Sequence, residues 1–242
     1  MPVFLITGAA RGIGLELVSQ LSSEGSTLVI ATVRTISPEL QRLSDERENV
    51  RIAICDISSL SSISAFSTTL GYILSSGEKI THLLNNAAVV AYPEAKATSM
   101  TAEALSENIT TNVLGPSKMV EVVLPFLAPD GVIVNITSGM ASLQLLATGV
   151  IPAAATAYSI SKAALNMLTV HQAQELKGKC RVACLDPGHV KTRLGGDRAS
   201  VEIHESAAGI IAVVRRLDED KEGDQENGRA RFMEFSGKEM PW

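Results

Sequence analysis

The chain has 242 residues, 45% hydrophobic, 19% charged and 4% aromatic, a balance that excludes disordered and fibrous classes and suits one globular α/β domain over residues 1–242 with a sizeable core. A net charge of −5 at pH 7, with no run of lysines or arginines, argues against nucleic acid or an anionic membrane surface as the partner and leaves small molecules. Cys55, Cys180 and Cys184 come with neither a CxxC pair nor histidines at metal-ligand spacing, so they read as reduced packing residues and no metal is expected.

The opening MPVFLITGAA has no basic n-region and passes directly into a glycine-rich turn, so residues 3–7 read as a buried strand rather than a signal peptide. No stretch approaches the roughly 20 apolar residues that span a bilayer. A cytoplasmic protein is the expectation, and the sequons at Asn108 and Asn135 then carry no glycan. Thr7-Gly8-Ala9-Ala10-Arg11-Gly12-Ile13-Gly14 follows the strand and opens a helix over residues 13–23. Glycines permit tight turning and close approach of backbone to a pyrophosphate, whose charge a helix N-terminus favours. Gly8, Ala10, Arg11, Gly12, Ile13 and Gly14 are therefore candidate nucleotide contacts.

A second strand, 27–33, runs into Arg34. An NAD site offers an acid at this point for the ribose 2′-hydroxyl, and this chain has none. Arg34, joined by Arg11, suits a 2′-phosphate instead, which favours NADPH/NADP+ over NADH/NAD+; the plainer account is two solvated surface arginines. Ser37 can cap a helix over 38–48 with Pro38 at its first position. A strand at 50–54 leads to Asp56 and Ile57, where Asp56 either meets a cofactor or caps the helix at 60–74. After the strand at 82–84 come Asn85-Asn86-Ala87-Ala88 and Val89, in which the asparagines serve a turn, a ligand or both.

A helix over 101–127, with an irregularity expected at Gly115-Pro116, carries Asn112 beside two threonines, where an asparagine can also satisfy local backbone. A strand at 131–136 precedes Ser138, and an apolar segment with Gly149 and Pro152 then leads to a helix over 155–176. On it Tyr158 and Lys162 stand four residues apart, on one face and about 5–6 Å from each other at Cβ. An ammonium close to a phenol pulls its pKa down from near 10; an amphipathic helix with a solvated lysine would show the same spacing. The strand at 181–185 runs into Pro187-Gly188-His189-Val190 and Thr192. Leu194, Gly195 and Gly196 open a loop expected to be mobile, followed by a helix over 201–217, a charged solvated connection over 218–228 and a last strand at 231–235. Trp242 is expected to anchor the chain's end near the loop at 194–196.

Strands alternating with helices, and nearly continuous in apolar residues, indicate a doubly wound, seven-stranded parallel sheet of Rossmann type covered on both faces. Ligands of such sheets bind beyond the carboxyl ends of the strands, where every motif above falls.

With TGxxxGxG at Thr7–Gly14, Asp56, Asn85-Asn86-Ala87-Ala88, Asn112, Ser138, Tyr158 with Lys162, and Pro187-Gly188 with Thr192 in order, the chain resembles the short-chain dehydrogenase/reductase family along essentially its whole length. Through ATVR, DPGHVKTRLGG and the ending GKEMPW it looks most like carbonyl reductases of the sniffer and C-factor type. The resemblance implies that Asp56 meets the adenine, that Asn86, Ala87 and Ala88 line the cofactor together with Pro187, Gly188 and Val190, and that Thr192 touches its carboxamide. It implies that Tyr158 protonates a carbonyl oxygen, that Lys162 lowers the tyrosine pKa and holds the nicotinamide ribose, that Ser138 stabilises the developing charge, and that Asn112 keeps a water linking Lys162 to solvent. The segment from Ser138 to Tyr158 is longer than is usual in the family and apolar, which suits an apolar, aromatic or polycyclic ketone or aldehyde; Val89, Met140, His189 and Leu194 are the candidate pocket walls. Pairing into a homodimer or homotetramer through the helices at 101–127 and 155–176 is also implied. Two other functions share these residues: oxidation of an alcohol with NAD(P), and a non-catalytic dinucleotide-binding signalling protein, for which the proton-relay residues would be superfluous.

Overall fold

The computed structural model describes residues 1–219 and 227–242. Seven strands, β1 (Val3–Thr7), β2 (Leu28–Val33), β3 (Val50–Ile54), β4 (Ile80–Asn85), β5 (Leu127–Ile136), β6 (Cys180–Asp186) and β7 (Phe232–Glu234), form one sheet in the order β3-β2-β1-β4-β5-β6-β7. Every neighbouring pair is parallel. The direction of winding reverses between β1 and β4, which opens a crevice at their carboxyl ends.

Alternation along each strand divides the core into two layers. Phe4 and Ile6 of β1 pack with α1 (Gly12–Ser22), α2 (Pro38–Glu46) and α8 (Ile203–Glu219), whereas Val3 and Leu5 pack with α3 (Leu60–Ile73) and α5 (Gly115–Val123). The period of two along a strand makes this division obligatory. Ser37 caps α2 by accepting from Leu40 N at 3.2 Å, and Pro38 occupies the first turn. Cys55, Cys180 and Cys184 are free and buried.

The structure departs from the sequence expectations in several places. The helix anticipated over 101–127 is α4 (Ala102–Ile109), a π-helical turn (Thr110–Leu114), α5 and a 3-10 turn (Leu124–Phe126). Its irregularity therefore lies just before Gly115-Pro116, because the missing proline N–H disturbs the hydrogen bonds of the preceding turn. Pairing of Leu127 with Ile80 extends β4 and β5 at their amino ends. The helix of 201–217 begins at Ile203 and ends at Glu219. In the stretch 218–228, residues 220–226 lie outside the described residues, and Asp218 is not simply solvated: its carboxylate meets buried His82 Nε2 at 2.9 Å. Between Ser138 and Tyr158 lie a 3-10 turn (Gly139–Ala141) and a short helix, α6 (Leu143–Ala147), before α7 (Thr156–Glu175). Asn108 and Asn135 are fully buried.

Leu5 sits in the middle of β1 with no exposed surface. Leu5→Ala should lower the unfolding free energy by about 2–5 kcal/mol, read from urea denaturation, since the central strand cannot collapse onto the cavity.

Candidate active site

The loops following β1, β4, β5 and β6 meet at one end of the sheet. In the first, Gly8 and Gly12 have φ of +69° and +54°, a region that glycine enters without penalty. A β-carbon on Gly14 would lie 2.4 Å from the Gly8 carbonyl oxygen and 2.6 Å from Asn86 Nδ2, and one on Gly8 would lie 2.8 Å from Ala87 Cα. Only bare backbone lets the β1 turn seat against the β4 turn. Thr7 locks the contact: its Oγ1 accepts from Asn86 N at 2.9 Å and from Ala87 N at 3.0 Å, while Asn86 Nδ2 donates to Thr7 O at 2.8 Å. The asparagine thus reaches across to β1 instead of serving only its own turn.

At the N-terminus of α1 Arg11 is in extended conformation with no side-chain cap, and the first turn carries no acid, so its N–H groups and the helix dipole favour an anion there. Arg11 and Arg34 are exposed, and neither makes an ion pair among the described residues. Asp56 does not cap α3; Ser59 does so by accepting from Ser62 N, and Asp56 Oδ1 instead accepts from Ser58 N at 3.0 Å and Ser58 Oγ at 2.7 Å. Ile57 is buried where a β-carbon on Gly115 would lie 2.5 Å from its Cγ2, so α5 rests directly on the β3 loop.

Asn112 occupies the π-helical turn and is fully buried. Its amide oxygen accepts from Val89 N at 2.9 Å, and its amide nitrogen donates to Val89 O and to Ser161 Oγ, each at 2.9 Å. The side chain is a bracket for the β4 loop and for α7, not a free water ligand. Its main-chain carbonyl is another matter: the helical donor four residues on would be Pro116, which has no N–H.

Helix α7 starts from Ala155, held in the left-handed region at φ +45°, and buries Tyr158 and Lys162 side by side. Lys162 Nζ donates to Ile136 O at 2.8 Å, at the end of β5, and lies 5.7 Å from the centre of the Tyr158 ring. Ser138 Oγ accepts from Met140 N at 3.2 Å, and its hydroxyl favours the ionised form of the Tyr158 phenol. Burial holds the Tyr158 phenol above its ordinary pKa, against the Ser138 hydroxyl. Burial pulls Lys162 down to about 7, with the Asp186 carboxylate acting in the opposite sense. The expected lowering of the tyrosine by the lysine is therefore not what this geometry gives. The ammonium is directed at a carbonyl beyond the ring, and desolvation outweighs it.

The β6 loop completes the site. Thr192 Cγ2 lies 3.4 Å from where a β-carbon on Gly12 would stand, so this loop reaches back to the glycine turn. His189 is exposed, with Nε2 2.9 Å from Gly195 O; Gly195 N donates to Thr192 Oγ1 at 3.1 Å, and Val190 bridges to Val201. The segment expected to be loose is thus cross-tied. Leu194 is 52% exposed, and Val89 and Met140 are half-buried. Trp242 anchors the chain's end: its ring packs 5.5 Å from Phe232, and its main-chain oxygen accepts from Gln144 N at 3.2 Å, tying it to the segment between Ser138 and Tyr158. Thr7, Ser161 and the buried Asp186 have roles that sequence reasoning did not assign, though an acid closing an apolar strand was visible in CRVACLD.

No cluster of three or more histidine, cysteine or acidic side chains able to hold a metal occurs among the described residues, and none of the described helices is long and apolar enough to cross a membrane. The sequence profile of short chain dehydrogenases matches residues 2–202. The chain belongs to the short-chain dehydrogenase family. The short-chain dehydrogenase/reductase atnB of an Arthrinium species is 32% identical over 225 residues, covering 87% of this chain and 83% of that protein. Among solved structures, the NADPH-bound carbonyl reductase from chicken fatty liver superposes with a TM-score of 0.86 at 31% identity, and the carbonyl reductase Sniffer of D. melanogaster with 0.86 at 26%, each match covering 100% of both chains. A member of this family with this fold is a short-chain oxidoreductase.

Because the Asn112 amide bonds both the N–H and the C=O of Val89, Asn112→Ala should cost about 1–3 kcal/mol of unfolding free energy in a thermal or urea melt, the magnitude expected when buried partners lose their hydrogen bonds.

Proposed function

We propose that the protein reduces the carbonyl of an apolar ketone or aldehyde, aromatic or polycyclic, to the alcohol with NADPH, with Tyr158 as general acid. One observation carries this reading: Tyr158 and Lys162 are buried together on α7, at the sheet end where the β1 glycine turn packs through bare backbone against the β4 turn. When bound, the nicotinamide supplies a hydride to the carbonyl carbon. Tyr158 gives its proton to the carbonyl oxygen as charge develops there, and its raised pKa keeps that proton in place at neutral pH. Ser138 donates to the same oxygen. Lys162, in its charged form, faces the ribose and stabilises the phenolate left behind; the Asn112 main-chain carbonyl, lacking a donor from Pro116, holds the water through which the proton is restored.

The residues fit the dinucleotide. Gly8, Gly12, Gly14 and the uncapped α1 N-terminus suit the pyrophosphate, Asp56 and Ile57 would border the adenine, and Asn86, Ala87 and Ala88 would line the cofactor. Pro187, Gly188, Val190 and Thr192 border the nicotinamide end. Arg11 and Arg34, exposed and without carboxylate partners among the described residues, suit a 2′-phosphate, and the NADPH-bound carbonyl reductase from chicken fatty liver supports that choice. The same arginines favour this direction over NAD-linked alcohol oxidation. Val89, Met140, His189 and Leu194 stand on the loops around the reacting oxygen, and the apolar stretch containing exposed Leu143 and Val150 supports an apolar substrate.

The test is NADPH and NADH consumption over a panel of aldehydes, diketones, quinones and aromatic ketones. Tyr158→Phe should lower kcat by about 10²–10⁴ while NADPH still binds; turnover within tenfold of wild type would sink the mechanism. Arg34→Asp should lower the ratio of NADPH to NADH efficiency by roughly tenfold to a hundredfold, the worth of a charge-assisted phosphate contact, and an unchanged ratio would remove Arg34 from the cofactor site.

A further inference from the structure

Lys162 is 1% exposed, and its Nζ has no carboxylate within ion-pair distance among the described residues; it donates instead to the neutral carbonyl of Ile136. A buried ammonium without compensation is unfavourable by several kcal/mol. Among the described residues Asp186 is the only acid that is buried, and it stands at the carboxyl end of β6, one strand from the Ile136 carbonyl through the pairing of β5 with β6. Its Oδ1 accepts from Gly188 N at 3.2 Å, and its other oxygen packs against the Gly139 backbone. Oδ2 lies 3.3 Å from where a β-carbon on Gly139 would stand. One carboxylate therefore stands between the turn that begins at Ser138 and the turn that follows Pro187.

We propose that Asp186 is a positioning residue for the reduction, its carboxylate set between the Ser138 turn and the Gly188 turn and supplying negative charge to the buried Lys162 and Tyr158 pair. The inference rests on the reductase reading above. The groups that act on this carboxylate are Lys162 and Tyr158 from α7, Glu234 from β7 and His189 from its own loop; β5 presents only the uncharged Thr137 and Ser138. Glu234 disfavours its ionisation and His189 favours it, but burial dominates and raises its pKa above the ordinary aspartate value.

The signs follow. As pH falls through the raised pKa of Asp186, the carboxylate becomes neutral and kcat declines; as pH rises through about 7, Lys162 loses its proton and kcat declines again. Replacing the carboxylate by an amide removes the first limb and moves the second to lower pH, because Asp186 is the group holding the Lys162 pKa up.

The experiment is the pH profile of kcat for reduction at saturating NADPH, for wild type and Asp186→Asn, with a thermal melt and NADPH affinity measured in parallel. The expected result is loss of the acid limb and a shift of the basic limb downward by about one pH unit, in a protein that still melts cooperatively and binds NADPH. A purely structural aspartate would lower kcat evenly and leave both limbs in place, and that outcome overturns the proposal. Asp186→Ser provides the same readout if the asparagine variant fails to fold. If neither variant folds, the wild-type profile decides: an acid limb above the ordinary aspartate range sustains the proposal, and a flat acid side overturns it. A wild-type protein that turns over no carbonyl compound removes the reductase reading and this inference together, whereas turnover with unmoved limbs removes the inference alone.

Discussion

The hydrogen bond from Lys162 Nζ to the Ile136 carbonyl is the constraint on which the carboxyl end of the sheet depends. To place a four-carbon side chain there, α7 must lie close along β5 and β6 with a polar face inward. Asn166 accepts from Thr137 Oγ1 at 2.7 Å; Thr169 and Gln172 each accept from Asn135 Nδ2 at 2.9 Å; and Asn135 accepts from Asn85 at 2.8 Å. Apolar contact tolerates sliding, but directional bonds between buried polar groups do not, since a shifted register would strand several of them in a low-dielectric interior. The helix that carries Tyr158 is thereby fixed in both rotation and height.

A second constraint works through missing atoms. The absent β-carbons of Gly8 and Gly14 let the β1 turn touch the β4 turn, and that of Gly115 lets α5 rest on the β3 loop, so these loops share one rigid floor. Polar side chains then fasten that floor: Thr7 bonds Asn86 and Ala87, and Asn112 bonds Val89 and Ser161. The glycine turn and the loop bracketed by Asn112 sit on the same framework, and a change at one is felt at the other.

Much of this was legible in the sequence. Apolar runs bounded by turn residues marked the seven strands, and Gly8, Gly12 and Gly14 between β1 and α1 marked the nucleotide turn. Periodicity failed where backbone hydrogen bonding decides the outcome. The π-helical turn at Thr110–Leu114 depends on a proline two residues beyond it, and the added length of β5 comes from pairing with β4, which no local pattern encodes. Tyr158 and Lys162 could be placed on one face of a helix, but the sign of the phenol's pKa depends on how fully the two are desolvated, a property of packing. Asp186 was passed over because an acid at a strand end is ordinarily solvated, and only the folded chain encloses it between Gly139 and Gly188.

The segment after β6 is closed on itself by the His189–Gly195 contact, by Thr192 with Gly195, and by the Val190–Val201 bridge. Such a piece holds its shape through its own internal bonds. Little chain entropy remains to be lost when a molecule packs against it, and preorganisation of this kind raises affinity without adding a single contact.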